Sequence, residues 1–356
     1  MARATTAHIH IDALRHNLAV VRARAPHAKV MAVVKADGYG HGLERVAHAL
    51  AGADGFGVAA LSDAQRLRAA GFSQKILLLS GFDEPADLEQ LRQLDVDTVV
   101  HHRTQLDMLA ADHGSPLKVW LKMDSGMHRL GFAPADFAAA HARLRALPNV
   151  AADIVCMSHL ASSEDTGSPQ TAEQLRTFGD HLPPSAAASI ANSAGILIWP
   201  EAHRQWLRAG GALYGLAVGE GKTGADFGLR PAMTLSTRLI SVQTVAKCER
   251  IGYSGIYTCP EDMPVGVAAI GYGDGYPRVI RPGTPVLLNG RRVPIIGRVS
   301  MDLMTLDLRG QPEAAVGDPV VLWGEGLPVE EVAAAAGTIS YELTCSITRR
   351  VRFVEA

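Results

Sequence analysis

Between Val30 and Ala209, β-like runs recur along the chain, the first of them apolar and without alternation, and most are followed by a stretch with helical spacing. The runs fall at 30–35, 55–60, 75–80, 97–101, 117–122, 152–158, 186–191 and 205–209. Continuous apolar runs of this length describe strands buried on both faces, as in a parallel sheet. Helical patterns between them include Asp63–Ala70, Asp87–Leu94, Ala135–Leu147 and Ala172–Phe178. Eight strands separated by helices predict a parallel α/β architecture, and eight is the count that closes a (β/α)8 barrel. An open doubly wound sheet is the alternative, but no G-x-G-x-x-G opens a helix to support it.

The pattern changes after Arg230-Pro231. Segments 232–247, 264–271, 284–307, 318–323 and 338–353 alternate or carry β-branched residues, and Asn289-Gly290 between two such runs is a hairpin signal. One helix is predicted at Pro328–Ala336. The expected fold is therefore α/β: an N-terminal TIM-type (β/α)8 barrel over 1–229, then a mostly β C-terminal domain over 230–356. The Gly-rich polar loop 219–229 reads as their junction, and residues 1–12 are assigned either to the barrel or to pairing with the C-terminal domain.

Composition narrows the function classes. A chain of 356 residues, 47% hydrophobic and 20% charged, has ample material for a buried core. A net charge of −2 gives no general attraction to nucleic acid or an anionic membrane. No apolar stretch approaches the roughly 18 residues of a membrane span, and Met1-Ala2-Arg3-Ala4-Thr5-Thr6 lacks a signal-like apolar core, so a cytoplasmic location is expected. The four cysteines form no C-x-x-C pair and the fourteen histidines no H-E-x-x-H, so neither a disulfide framework nor a metal site is expected.

The polar residues at the strand ends carry the chemistry. In a barrel of this type the active site lies at the carboxyl ends of the strands. Lys35 ends the first, Lys122 the fifth and His159 the sixth; Asn192-Ser193 follow the seventh, and Arg208-Ala209-Gly210-Gly211 end the eighth. A lysine at a strand end is ordinarily a solvated charge; partly desolvated, it becomes a base or a Schiff-base nucleophile. Loops after strands seven and eight commonly cradle phosphate through backbone N–H groups and hydroxyls, and Gly210-Gly211 allow close approach. Opposite Lys35, these loops suggest a phosphorylated aldehyde, which describes pyridoxal phosphate.

The segment Val33-Val34-Lys35-Ala36-Asp37-Gly38-Tyr39-Gly40-His41-Gly42 resembles the cofactor-lysine signature of the alanine racemases. The similarity continues in the family's order through Ile9–Asn17, Lys122–Gly131, Ser158–Ala161, Ala191–Ala194, Arg208–Gly215, Gly252–Gly255, Ile270–Arg278 and Gly297–Asp302. The resemblance implies a homodimer, dependent on pyridoxal phosphate, that interconverts L- and D-alanine, either to supply D-alanine for peptidoglycan or to degrade it. Lys35 would bind the cofactor as a Schiff base and serve as one proton-transfer base. The tyrosine matching Tyr253 would reach in from the partner subunit as the second. An ordinary phenol titrates near 10, and His159 and Arg208 would form the hydrogen-bond chain behind it, as cationic neighbours that depress its pKa.

The remaining roles follow the same matches. Arg208 would face the pyridine nitrogen. Being a donor that stays charged, it cannot stabilise a protonated pyridine, so the electron sink is weaker and the carbanion short-lived. Related barrel decarboxylases carry an acid there, so Arg208 argues for racemisation. Tyr39, Ser193, Gly210, Gly211 and Tyr341 match phosphate ligands. Arg129 and the Met301 backbone N–H match contacts to the substrate carboxylate, and Asp302 lies in the same segment. Lys122 matches a lysine that can be carbamylated in relatives, the plain alternative being a structural lysine. Tyr272 and Tyr276 match entrance-corridor positions. His128 stands where many relatives have glycine, and Ser300 where cysteine is frequent. The competing readings are a racemase of serine or of several amino acids, a barrel decarboxylase, and a non-catalytic cofactor carrier; the last lacks a β domain and its tyrosine.

Overall fold

The computed structural model describes residues 5–217 and 221–356. The first four residues, and residues 219 and 220 of the expected junction, lie outside the described residues. The chain forms two compact units. One runs up to Leu14 and resumes over Tyr214–Ala217 and Thr223–Ala356; the other is built on Arg15–Leu213.

The first strand, β1 (Thr6–Ile9), belongs to the unit that holds the C-terminal residues. Eight parallel strands then make the second unit: β2 (Lys29–Val33), β3 (Gly55–Val58), β4 (Lys75–Leu78), β5 (Val96–Val100), β6 (Val119–Lys122), β7 (Val155–Met157), β8 (Ala187–Ser189) and β9 (Trp206–Ala209). Their spatial order is β8-β7-β6-β5-β4-β3-β2-β9. The two end strands are tied by the Ser189 hydroxyl donating to the Trp206 carbonyl at 2.9 Å, by Ala188 N–H on the Gln205 side chain at 2.9 Å, and by Arg208 N–H on the Ala191 carbonyl at 3.1 Å. Each of the eight expected strands is present.

Strand periodicity positions the chemistry. Met31, Leu77, Val99, Trp120, Val155, Met157 and Trp206 pack as one buried cluster. Side chains two residues apart on a strand share a face. Lys122 therefore follows Trp120, and Arg208 follows Trp206, on the face that faces the cluster, one step nearer the carboxyl ends of β6 and β9.

The other unit is a mixed, mostly antiparallel sheet. Its strands are β10 (Met233–Val245), β13 (Met263–Ala268), β14 (Pro285–Leu288), β15 (Arg291–Ile296), β16 (Met304–Asp307), β17 (Pro319–Trp323) and β18 (Arg352–Glu355), ordered β13-β16-β15-β14-β17-β10-β1-β18. A pairing of β10 with β13 closes part of it. The short pair β11 (Arg250–Ile251) and β12 (Tyr257–Thr258) forms a separate hairpin. β1 pairs with β10 and β18, so the N-terminal strand is part of this sheet.

Two local expectations are corrected. Segment 338–353 is not extended throughout: Ser340–Cys345 is a helix, and only Arg352–Glu355 is a strand. Ser340, Leu343 and Thr344 are its buried positions, and that i, i+3, i+4 spacing outweighs the β-prone residues around them. Lys35 does not close the first barrel strand. The strand stops at Val33, and Ala36, Asp37, Gly38 and Tyr39 all have positive φ, between 53° and 64°. Among the described residues, no helix is long and apolar enough to cross a membrane.

Candidate active site

Left-handed turns cost about 1–2 kcal/mol for each residue with a Cβ, and Ala36, Asp37 and Tyr39 are three of them. Hydrogen bonds over-determine this turn. Gly38 N–H donates to Val34 O at 2.9 Å, Gly40 N–H to Ala36 O at 3.0 Å and Gly42 N–H to Asp37 O at 2.8 Å. The Asp37 carboxylate accepts from Leu43 N–H at 3.1 Å and from Arg66 at 2.9 Å, and Arg66 also grips both oxygens of Glu44. His41 is buried with Nδ1 against the carbonyls of Tyr39 (2.9 Å) and Gly38 (3.1 Å). Carbonyls only accept, so that nitrogen carries the proton. The turn presents Lys35 as an exposed side chain and carries Tyr39 back towards Gly210.

Around Lys35 the other barrel-borne residues converge. A Cβ built on Gly210 would lie 2.5 Å from the Tyr39 hydroxyl, so any larger residue there would displace that hydroxyl. The Ser193 oxygen accepts from Gly210 N–H at 2.9 Å and from Ala212 N–H at 3.1 Å, which leaves its own proton to donate. Gly211 lies between those two donors. A serine hydroxyl, a tyrosine hydroxyl and the glycine backbone of Gly210-Gly211 thus meet at the ends of β8 and β9, hydroxyl donors and close backbone approach of the kind a phosphate uses.

Arg208 is buried at 4% exposure. Its guanidinium donates to the Ser189 hydroxyl, to the Ser158 and Ile190 carbonyls, and to His159 Nδ1 at 3.3 Å. Burial lowers its pKa to about 10, so it remains charged at neutral pH. His159 is held well below the usual histidine value, by burial first and then by Arg208, Arg129, Lys122 and Lys35. The expectation of a cationic His159 is corrected: the ring is neutral. Because Arg208 only donates, Nδ1 is the bare nitrogen and Nε2 holds the proton.

Lys122 is also buried, and burial together with Arg208, Arg129 and Lys35 brings its pKa down to about 8. Arg129 is exposed in the loop that follows. Asp124 shapes that loop by accepting from the N–H groups of Gly126, Met127 and His128 at 3.0–3.1 Å. His128 has φ 56°, a left-handed conformation that glycine adopts at least cost, and its ring reaches Asp124 at 3.3 Å. Ser158, Ser189 and Ala212 were not singled out in the sequence. The first two are serines on fully buried strand-end positions, a signal that was available; a backbone N–H leaves none.

Six further candidates belong to the other unit. Tyr253 stands at the tip between β11 and β12, where Gly252, Ser254 and Gly255 all have positive φ. It is 68% exposed, and its hydroxyl makes no hydrogen bond among the described residues. Tyr272, Met301 and Asp302 sit on two loops zipped by Tyr272 N–H to Ser300 O at 3.0 Å and Gly273 N–H to Met301 O at 2.9 Å. The Met301 N–H has no acceptor among the described residues, and Arg350 holds the Asp302 carboxylate. Tyr341 is half-buried on the helix Ser340–Cys345. Tyr276 is fully buried and stacked on Trp323 with centroids 5.8 Å apart, so its reading as a corridor residue is corrected to a structural one.

Comparison with known proteins agrees with this arrangement of elements. Residues 9–218 match the family model for the alanine racemase N-terminal domain, and residues 232–355 that for the alanine racemase C-terminal domain. An alanine racemase of Nitrosococcus oceani is 52% identical over 344 residues, covering 96% of this chain and 97% of that protein. One from Shewanella sediminis is 51% identical over 349 residues, covering 97% of each. Among solved structures, the biosynthetic alanine racemase of Pseudomonas aeruginosa matches with a TM-score of 0.96 and 44% identity over 99% of both chains. The alanine racemase of Acinetobacter baumannii matches at 0.93 and 32% identity, over 99% of this chain and 100% of that one. The chain belongs to the alanine racemase family.

Proposed function

We propose that the protein is a pyridoxal-phosphate-dependent alanine racemase that works in the cytoplasm as a homodimer with shared active sites, using Lys35 and Tyr253 of the partner subunit as its two bases. The observation that carries this reading is the buried, charged Arg208 beside the neutral His159, at the mouth where Lys35 and the phosphate cradle meet. Pyridoxal phosphate, when bound, supplies an electron sink for the pair released when the α-proton leaves. Tyr39, Ser193, Gly210, Gly211 and Tyr341 would hold its phosphate, Lys35 its aldehyde carbon and Arg208 its pyridine nitrogen. Gly210→Val tests the cradle: the branched side chain would meet the Tyr39 hydroxyl, and cofactor retention on dialysis is expected to fall about tenfold or more.

The residues divide the proton work between two faces of the α-carbon. Lys35 exchanges the proton on one face. On the other, the phenol of the partner's Tyr253 does so, and the His159 Nε2–H donates to the phenol oxygen, stabilising its anionic form. Arg208 fixes the imidazole tautomer from behind. Arg129 and the N–H of the partner's Met301 orient the substrate carboxylate. The exposed apolar side chains of Tyr253, Ile256, Tyr272, Met301 and Leu303 support a surface that a second copy covers.

Lys122 completes the mouth. At a pKa of about 8, a sizeable fraction of the amine is neutral at physiological pH and can add carbon dioxide. The carbamate anion would relieve the repulsion from Arg129 and orient its guanidinium. Protein equilibrated with 13C-bicarbonate is expected to show a carbamate resonance that Lys122→Ala lacks; a spectrum without one assigns Lys122 as a plain structural amine. Incubation with a panel of L-amino acids and detection of the D-products tests the activity itself. Alanine is expected to react fastest, whereas faster turnover of serine, or release of carbon dioxide, would overturn the assignment.

A further inference from the structure

Helix Gln170–Asp180 lies outside the mouth and buries Thr171, Gln174, Leu175 and Phe178 on one face. A glutamine on that face, exposed by only 1%, must have its amide satisfied by protein groups. All the partners of Gln174 belong to two loops of the site. Its Oε1 accepts from Ala161 N–H at 2.8 Å, and its Nε2 donates to the His159 carbonyl at 2.9 Å and to the Ser125 hydroxyl at 3.4 Å. Ser125 meets Ser158 at 2.7 Å, and Ser158, the residue before His159, donates to the Met123 carbonyl at 2.9 Å. One turn earlier, Gln170 makes the same kind of stitch, donating to Gly126 O at 3.1 Å and accepting from Ser162.

We propose that Gln174 is a positioning residue: its amide locks the backbone just after the His159 side chain, at the 159 carbonyl and the 161 N–H, to the Lys122–Arg129 loop, and so sets where the His159 Nε2–H points. The inference rests on the reading that His159 stands behind the phenol of Tyr253. Three features favour it over simple packing. The amide uses both ends, its three bonds reach both loops of the site, and none goes to the helix that carries it. The Arg208 bond to the Ser158 carbonyl fixes the same segment from inside the barrel, so His159 is held from front and back.

The test uses the cofactor-loaded protein. Gln174→Met keeps the length and removes the amide. The turnover number is expected to fall about 10- to 100-fold, with the Michaelis constant for alanine changed little and the visible band of the bound cofactor retained. The α-deuterium isotope effect measured from L-alanine should rise, because the Tyr253 side is slowed, while that from D-alanine should fall, because proton return on the Tyr253 side then limits that direction. Normal turnover, or an equal change in both isotope effects, overturns the proposal. Should Gln174→Met not fold, Ser125→Ala removes one arm only: the same asymmetry is expected at about threefold, and a symmetric effect overturns the proposal. A wild-type protein that fails to racemise alanine would instead defeat the reading beneath it.

Discussion

Lys35→Ala is expected to abolish alanine racemisation, with a loss of about 10⁴-fold or more, and to remove the visible band of lysine-bound cofactor. The size of the effect follows from asking one amine to do two jobs, holding the cofactor and moving a proton. Its setting supports both. Lys35 opens a left-handed turn whose strain is held by Asp37, Arg66, Glu44 and His41, so its approach is set by the fold and not by a mobile loop. The competing amine is Lys122, buried on β6 with a pKa of about 8. Absorbance spectra of the two single alanine variants separate them. A visible band that survives in Lys35→Ala but disappears in Lys122→Ala would transfer the role to Lys122.

Tyr253→Phe is expected to lower racemisation by about 10² to 10⁴-fold, the range of a general acid–base group, while leaving the cofactor band in place. The slowed step should be proton removal from L-alanine, detected as slow loss of α-deuterium to solvent from that isomer while D-alanine exchanges normally. The state of His159 adds a pH expectation. Burial first, and then the Arg208 guanidinium beside it, keep the ring neutral, so its proton uptake lies well below the usual histidine range. The wild-type profile should therefore show no loss of rate between about pH 8 and 6 from histidine protonation. Full activity of Tyr253→Phe in both directions would remove the tyrosine from the mechanism.

The barrel was legible because its strands are buried on both faces, and each such run is separated from the next by a helical period or a turn. The strand-end residues followed from the same reading, since Lys122 and Arg208 fall two residues beyond Trp120 and Trp206. Three features were not legible. The left-handed turn at Ala36–Tyr39 depends on hydrogen bonds from Arg66 and His41, which no local propensity encodes. The charge of His159 depends on burial beside Arg208, a contact across 49 residues of sequence. The helix at Ser340–Cys345 is written in β-prone residues and declared only by which side chains it buries. Gln174 had a signal, a polar residue on the apolar face of a helix, that became meaningful only once its two loops were placed.

The central claim is that each site is completed by Tyr253 of the partner subunit, and mixing two inactive chains tests it most directly. Lys35→Ala and Tyr253→Phe chains, co-expressed in equal amounts, should pair at random into dimers of which about half are hybrids. Each hybrid would contain one site with Lys35 from one chain and Tyr253 from the other, and one site lacking both. D-alanine formation by the mixture should then reach about a quarter of the wild-type rate, since half the dimers carry one intact site of two. A mixture whose hybrids are verified by differential tags, yet which is no more active than either parent, would contradict the shared site.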